Sequence, residues 1–366
     1  MALASAVVYE MGRQSTFDWP IADDYPLPLV PKGNPMSNAK VELGRWLFHD
    51  VRLSRNQTVA CATCHIQQLA FTDGKPRAVG ATGELHPRGS MSLVNVAYAS
   101  RLNWANSLLA HIEDQALIPL LGDNPVEMGM GGREVEIAEL LATEPGYRRL
   151  TQLAFPNDKD PFSVLNAVRA ISAFVRSIIS FEAPYDHYLA GDVDAISDSA
   201  VRGMELFFSE RLECFHCHGG FNFTDSTTHA STSVERVGFH NNGLYNLGHS
   251  GAYPPDNTGL YDMSGDLRDM GRFKAPTLRN IALTAPYMHD GSIGTLGDVV
   301  DHYARGGRLI ENGEYAGDGR LSPYKSEFVV GFELSDQERT DLLAFLDSLT
   351  DQSVITNERW SNPFRP

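Results

Sequence analysis

The chain of 366 residues has no apolar run long enough to span a membrane, few strand signals and only four cysteines. A transmembrane helix needs about 18 or more consecutive apolar residues, so no membrane span is expected. Basic residues are scarce, with 30 Lys and Arg against 46 Asp and Glu, which gives a formal charge of −16. This charge repels phosphate backbones and disfavours nucleic-acid binding. The 42% of hydrophobic residues predicts a globular chain, and the length predicts about two domains.

All four cysteines belong to two copies of one motif. The pattern Cys-x-x-Cys-His is formed by Cys61, Cys64 and His65 and again by Cys214, Cys217 and His218. It is typical of covalent haem attachment, in which two thioethers bind the vinyl groups and the histidine ligates the iron. A four-cysteine zinc site, a redox dithiol pair or two disulfides would leave both histidines unexplained. The sequence therefore predicts two haems c, attached outside the cytoplasm in the periplasm.

The region around each motif is repeated, which indicates internal duplication. Gly44-Arg-Trp-Leu-Phe48 precedes the first motif and Gly203-Met-Glu-Leu-Phe207 precedes the second. We predict a mainly α, loop-rich fold of two cytochrome c-like haem domains related by this duplication. Residues 1–36, which contain many prolines, form an extended arm, residues 37–185 the N-terminal domain and residues 186–366 the C-terminal domain.

Hydrophobic periodicity gives the predicted helices. They span residues 38–50, 107–121, 134–144, 162–180, 197–209, 295–305 and 335–349. The last of them begins with the capping-box pair Ser335 and Glu338. Residues 219–272 are rich in Gly, Asn, Asp and Ser, and we expect a long ordered loop around a haem there.

Further motifs are Leu43-Gly44-Arg45, Leu47-Phe48, Trp104, Gln115, Pro119, Glu127-Met128-Gly129, Ala275-Pro276-Thr277-Leu278-Arg279-Asn280 and the run from Thr284 to Gly291. Together with the Cys-x-x-Cys-His motifs, they resemble the bacterial dihaem cytochrome c peroxidase and MauG superfamily over residues 33–349. Residues 34–45 and 102–106 resemble the MbnH branch, which comprises MauG-like enzymes found beside copper-binding partner proteins. The resemblance implies that the N-terminal haem reacts with peroxide and that the C-terminal haem stores or relays electrons.

The resemblance also implies the ligands of the second haem. In the superfamily its second axial ligand is methionine in peroxidases and tyrosine in MauG, and the corresponding position here is Tyr303. A thioether favours ferrous iron, whereas a phenolate stabilises ferric and higher states. We therefore expect His218 and Tyr303 on this iron, with His302 or Met288 as the alternatives.

Four side chains match positions that carry the chemistry in the superfamily. Trp104 corresponds to the tryptophan between the haems, and its alternative role is core packing. Glu127 corresponds to the acid–base residue that moves the peroxide proton, with Gln115 and Pro119 shaping the pocket. Glu127 could otherwise be a carboxylate that stabilises a helix start.

Two further sites follow from the resemblance. Regulated peroxidases block the first iron with a histidine whose position is Ala81 here, so we expect that iron to be open unless His86 reaches it. The family binds Ca²⁺ through an asparagine side chain and two backbone carbonyls, which correspond to Thr284 and Pro286. Gly89 stands at the asparagine position, and Asn95 could compensate. Arg272 and Arg279 could pair with haem propionates.

The predicted activity is that of an H2O2-dependent dihaem oxidase. It forms a high-valent, bis-Fe(IV)-like state shared through Trp104 and oxidises an aromatic residue, a tryptophan towards kynurenine, of a copper-binding partner protein. One alternative is a dihaem cytochrome c peroxidase that takes electrons from a small cytochrome or cupredoxin, and Tyr303 argues against it. The other is a non-enzymatic electron-transfer cytochrome, against which Glu127 and Gln115 beside an open iron argue.

Overall fold

Helices provide most of the regular structure in the computed structural model, which describes residues 17–364. Their bounds are α1 (Asn38–His49), α2 (Cys61–Cys64), α3 (Ile112–Leu121), α4 (Glu134–Thr143), α5 (Pro145–Ala154), α6 (Val164–Arg176), α7 (Pro184–Leu189), α8 (Asp198–Phe207), α9 (Cys214–His218), α10 (Tyr261–Ser264), α11 (Leu296–Ala304), α12 (Asp336–Asp347) and α13 (Gln352–Thr356). Residues 1–16 of the predicted arm and residues 365–366 lie outside the described residues.

The strands are short and form two separate antiparallel pairs. β1 (Phe239–His240) pairs with β2 (Phe273–Lys274), and Phe239 lies opposite Lys274. β3 (Leu309–Ile310) pairs with β4 (Gly317–Asp318). The prediction of a mainly helical chain is therefore confirmed. Among the described residues, no helix has the length and apolar character needed to cross a membrane.

The predicted helix bounds differ from the observed ones where tertiary hydrogen bonds compete. The prediction of 107–121 begins too early, because Leu102 N–H donates to Leu109 O at 3.0 Å and closes a loop before α3. The prediction of 162–180 ends too late, because Ser180 N–H donates to Asn95 Oδ1 at 2.8 Å instead of continuing α6. Helix α5 was not predicted, although Pro145 stands at its first turn, where proline is favoured.

Each half of the chain is built on a pair of crossing helices. Where α1 crosses α6, a Cβ on Gly44 would lie 1.9 Å from Ala170 O. Where α8 crosses α12, a Cβ on Gly203 would lie 1.9 Å from Asp341 O. Each crossing thus requires glycine, because a methyl group would overlap the backbone of the partner helix.

Aromatic ring pairs near these glycines also have similar geometry in the two halves. The rings of Phe48 and Phe174 lie 5.0 Å apart at 52°, and those of Phe207 and Phe345 lie 5.2 Å apart at 55°. The first pair belongs to a hydrophobic core that also contains Leu43 and Leu47, and the second pair belongs to a separate core. The two Gly-x-x-Leu-Phe segments therefore make equivalent contacts.

Segments near both ends of the described chain pack against the first half. The Tyr25 ring of the arm stacks on Phe181 at 4.0 Å and 8°. At the other end, Trp360 is buried in the core of the first half. Gln67 Nε2 donates to Val354 O at 3.0 Å and to Asn357 O at 2.9 Å. Residues 352–364 were assigned to the predicted C-terminal domain, but in the structure they pack against the first half.

Candidate functional site

The first Cys-x-x-Cys-His motif consists of α2 and the residue after it. Ala60 N–H donates to Thr63 Oγ1 at 2.9 Å, which fixes the start of this single helical turn. His65 N–H donates to Cys61 O at 3.0 Å and closes it. The turn presents Cys61, Cys64 and His65 to one cavity of about 1420 Å³, open at its mouth, which we call the first cavity.

The donor atoms in the first cavity fit a covalently attached haem. All four cysteine thiols of the chain are free. His65 Nδ1 lies 2.9 Å from Phe71 O, and when Nδ1 donates this hydrogen bond Nε2 keeps its lone pair for a metal ion. Burial lowers the pKa of His65, which favours the neutral, ligating form. Cys61 and Cys64 would hold the porphyrin edge and His65 the iron.

The predicted acid–base residues lie in the wall of the same cavity. Gln115 and Pro119 are carried by α3. The segment after α3 turns back, so that Met128 N–H donates to Pro119 O at 2.9 Å. This turn brings Glu127 into the cavity wall beside them.

The environment of Glu127 suits proton transfer near neutral pH. Burial raises the pKa of its carboxyl to about 7, so both protonation states are populated at that pH. Gln115 Oε1 is buried and has no hydrogen-bond partner within residues 17–364. A carboxyl that exchanges a proton and a free amide acceptor therefore lie in one wall of the cavity that His65 also lines.

His86 contacts Glu127 across the mouth of the first cavity. Its Nε2 atom lies 3.7 Å from Glu127 Oε1, and its Nδ1 atom accepts from Arg88 N–H at 3.3 Å. Burial and the charge of Arg88 lower the pKa of His86, which favours the neutral ring. Ala81, at the position of the blocking histidine, donates its N–H to Glu127 O at 2.7 Å. The Nε2 atom of His86 is thus directed at a carboxylate.

The second motif lines a second cavity of about 1280 Å³. Cys214, Cys217 and His218 of α9 lie in its wall, together with Tyr303 of α11. His218 Nδ1 lies 3.2 Å from Phe223 O, the same contact that His65 makes in the first half. The donor set therefore fits a second covalently attached haem, with His218 and the Tyr303 oxygen as candidate ligands.

Tyr303 is surrounded by the two alternative ligands. Burial raises the pKa of Tyr303 to about 12, and a hydrogen bond with Asn242 opposes the rise. Asn242 Nδ2 also lies 3.2 Å from the Met288 sulfur, and Met288 lines the second cavity. The Nε2 atom of His302 is 3.0 Å from Asn242 O, so this ring is held by the backbone. Asn242 thus fixes Tyr303, Met288 and His302 relative to one another.

Trp104 lies between the cavities. It lines the first cavity, the second cavity and a third cavity of about 990 Å³. Its Nε1–H donates to Gly89 O at 2.9 Å, and its own carbonyl accepts from Lys274 N–H at 2.8 Å. The indole is therefore held by the backbone in a position shared by all three cavities.

The predicted calcium residues line the third cavity. Thr284, Pro286 and Gly89 all lie in its wall. Asn95, considered as a substitute ligand, uses its side chain elsewhere, because Oδ1 accepts from Ser180 N–H at 2.8 Å and Nδ2 donates to Ser180 O at 3.0 Å. The Thr284 and Pro286 carbonyls could contribute to a Ca²⁺ site, but Ca²⁺ needs several more oxygen ligands.

The two arginines considered for haem propionates make other contacts. Arg279 is buried and donates two hydrogen bonds of 2.9 Å to the Asp186 carboxylate. Arg272 lies 3.6 Å from Asp269. The expectation for Arg279 is wrong, because its guanidinium is committed to a buried ion pair.

Comparison with known proteins identifies the family. The family model of di-haem cytochrome c peroxidase matches residues 38–194. The methylamine utilization protein MauG of Methylorubrum extorquens is 35% identical over 322 residues, which cover 87% of this chain and 80% of that protein. The cytochrome-c peroxidase IdrP1 of Pseudomonas sp. strain SCT is 33% identical over 346 residues, covering 90% and 86%. The chain belongs to the di-haem cytochrome c peroxidase family.

Solved structures support the same fold. A crystal structure described as a MauG-like protein associated with microbial copper homeostasis is 47% identical, with a TM-score of 0.94, and the match covers 96% of this chain and all of the other. The diheme peroxidase BthA of Burkholderia thailandensis, at 19% identity and a TM-score of 0.62, shares the fold alone. The predicted resemblance is confirmed, and this di-haem peroxidase is an oxidoreductase with haem cofactors.

Three polar residues of the second cavity were missed or left without a role. Lys274 is buried, and burial lowers its pKa to about 8. His240 Nε2 lies 2.6 Å from Asp225 Oδ2 beside Cys217; although burial lowers its pKa, the bond to Asp225 raises it overall to about 10. His289 stacks on Phe273 at 3.6 Å. None of the three has a diagnostic spacing in the sequence. Lys274 lies between Phe273 and Ala275, and this apolar setting could have indicated a buried lysine, which is rare and therefore worth examining for a role.

Proposed function

We propose that this di-haem peroxidase uses H2O2 to oxidise an aromatic side chain, a tryptophan towards kynurenine, of a copper-binding partner protein. The observation that carries the proposal is that Tyr303 and His218 line one cavity, since a phenolate ligand stabilises ferric and higher states rather than ferrous iron. A haem of that kind is suited to hold oxidising equivalents rather than to pass electrons at high potential.

The haem pair, when bound, supplies the redox chemistry with peroxide. In the first cavity the carboxylate form of Glu127 accepts the peroxide proton, and its acid form returns a proton to the leaving oxygen. A pKa of about 7 lets one residue do both near neutral pH. Gln115 and Pro119 shape the space beside it. His86, whose Nε2 is directed at Glu127, would not ligate the iron of a haem held there.

Trp104 connects the two haem sites. Its indole lines both cavities, and its N–H is held by Gly89 O, so the ring plane is fixed. An indole is readily oxidised by one electron and can carry a hole between irons that do not touch. We infer that the two sites act as one unit through this side chain, and that the partner donates electrons without reaching either iron.

The nature of the partner rests on similarity. The solved MauG-like protein of 47% identity is described as associated with microbial copper homeostasis. We infer that the partner here is a copper-binding protein. We also infer a periplasmic location, because haem attachment to Cys-x-x-Cys-His motifs takes place outside the cytoplasm.

Further assignments belong to the same proposal. The equivalent crossings at Gly44 and Gly203 support two haem domains that arose by duplication, which residues 37–185 and 186–366 approximate. Thr284 and Pro286 carbonyls would contribute to a Ca²⁺ site in the third cavity, which Gly89 also lines. The second candidate function is an ordinary cytochrome c peroxidase, which Met288 in the wall of the second cavity favours.

Mass spectrometry of the partner tests the proposal. The holoenzyme, H2O2 and the copper-binding protein produced with it are mixed, and tryptophan peptides are examined for oxygenated products. The product should form with the native enzyme and diminish with Trp104→Phe. Trp46→Phe is the matched control, because Trp46 lies outside all three cavities and bonds Glu42. An unmodified partner combined with rapid oxidation of a reduced c-type cytochrome would establish the ordinary peroxidase instead.

A further inference from the structure

A series of aromatic rings leads from the second cavity to the surface. His289 and Phe273 stack at 3.6 Å and 10° in the cavity wall. The Tyr253 ring lies 6.3 Å from Phe273, Tyr245 lies 5.4 Å from Tyr253, and Tyr315 lies 5.9 Å from Tyr245. Tyr253 and Tyr245 are buried, whereas Tyr315 is 38% exposed. Neighbouring rings are thus in contact or nearly so from the cavity to solvent.

One tyrosine of the series has a proton acceptor. Tyr245 O–H donates to Asp290 Oδ2 at 2.7 Å. Asp290 follows His289 of the cavity wall, and Ser292 N–H donates to its Oδ1 at 3.0 Å, which holds the carboxylate in place. Burial and the neighbouring carboxylate raise the pKa of Tyr245, so the phenol is protonated in the resting protein. Oxidation makes a phenol strongly acidic, and Asp290 can then take the proton.

Tyr253 differs from Tyr245 in this respect. Its O–H donates to the amide oxygen of Asn241 at 2.9 Å and accepts from Leu244 N–H at 3.2 Å. An amide oxygen is an acceptor of hydrogen bonds but does not take a proton at ordinary pH. Tyr253 therefore serves as a bridge between rings, and Tyr245 is the residue of the series that can lose an electron and a proton together.

We propose that Tyr245 and Tyr315 carry oxidising equivalents from the second haem site to an electron donor at the surface, with Asp290 holding the Tyr245 proton. This inference rests on the proposed function, because H2O2 acting on the haem pair supplies the oxidant. The donor meets the protein at Tyr315. The residue that is oxidised in the partner then need not approach the haem.

The transfer balances at each step. Tyr245 gives one electron to the oxidised haem site, its O–H bond breaks, and the proton moves to Asp290. Tyr315 next gives one electron to the Tyr245 radical, Asp290 returns the proton, and the Tyr315 proton goes to solvent. The donor then gives one electron to the Tyr315 radical, which takes a proton back from solvent and returns to the phenol. Two such transfers supply the two electrons that, with two protons, reduce one H2O2 to two molecules of water.

The test traps a radical at Tyr315 without any partner. The holoenzyme is mixed with H2O2 and the spin trap 2-methyl-2-nitrosopropane, its haem absorption is followed during mixing, and its peptides are analysed for adducts. The native protein should form an adduct at Tyr315. Tyr245→Phe, which keeps the ring but has no proton to give, and Asp290→Asn, which keeps an acceptor but no base, should both lose that adduct. Tyr188→Phe is the control, because Tyr188 lies outside the series and the adduct should persist.

The outcomes separate the two proposals. If the haem absorption changes with H2O2 in every variant and the adduct disappears only in Tyr245→Phe and Asp290→Asn, the series carries the hole. An adduct that forms equally in those two variants, or that is absent from the native protein despite a full haem reaction, overturns the tyrosine pathway and leaves the proposed function standing. A haem absorption that does not respond to H2O2 overturns both.

Discussion

Glu127 gives the reaction with peroxide a pH dependence that can be calculated. Its pKa is about 7 because the carboxyl is buried. Only the carboxylate can accept the proton of H2O2, and for a pKa of about 7 the carboxylate fraction increases about tenfold between pH 6 and pH 8. The second-order rate of the ferric enzyme with H2O2 should therefore increase about tenfold over this range.

Substitution should remove both the rate and its pH dependence. A general acid–base group contributes about 10²–10⁴-fold, so Glu127→Gln should slow the reaction by about 10²-fold or more and leave it nearly independent of pH between 6 and 8. Haem content should be unchanged, since the cysteines and His65 are untouched. Stopped-flow absorption after mixing with H2O2 measures the rate.

Glu84→Gln is the matched control. Glu84 is an exposed carboxylate in the mouth of the same cavity, and its Oε2 atom accepts from Val126 N–H at 3.1 Å, a bond that glutamine can also make. This variant should keep the native rate and slope. If Glu127→Gln retains the tenfold change between pH 6 and pH 8, the titrating group is a different one and the assignment of Glu127 is refuted.

Two further predictions concern the second haem ligand and the helix crossings. Tyr303→Phe should eliminate the low-spin ferric EPR signal of the second haem; a signal that persists unchanged would assign the ligand to Met288 instead. Gly203→Ala should lower the free energy of unfolding in urea by about 1–3 kcal/mol, because its Cβ would lie 1.9 Å from Asp341 O. Gly146→Ala, in α5 with open space around it, should not destabilise the protein; equal effects would contradict the crossing argument.

The sequence predicted best the features whose chemistry requires a short spacing. Two thioethers and a histidine ligand require Cys-x-x-Cys-His, and each motif lines a cavity. Amphipathic helices such as 335–349 were also predictable, because burial of one face requires a period near 3.6. The structure has α12 at Asp336–Asp347, with the predicted capping box of Ser335 and Glu338.

Contacts between distant segments could not be predicted in this way. Arg279 and Asp186 form a buried pair 93 residues apart, and Arg279 was expected at a propionate. The aromatic series could not be predicted either, because Tyr245 and Asp290 lie in different loops and no period or motif relates them. Such pairs depend on how loops fold over each other, and local hydrophobic patterns carry no information about that.

The return of residues 352–364 to the first half has a consequence for biogenesis. Arg45 of α1 donates to Ser361 O at 2.9 Å, and Trp360 fills the core beside α1. These contacts cannot form until residues 352–364 have been synthesised. Domains usually fold in the order in which they emerge, but here the earlier half is completed by the later one. The first half, which carries Cys61 and Cys64, therefore stays incompletely packed until residues 352–364 join its core.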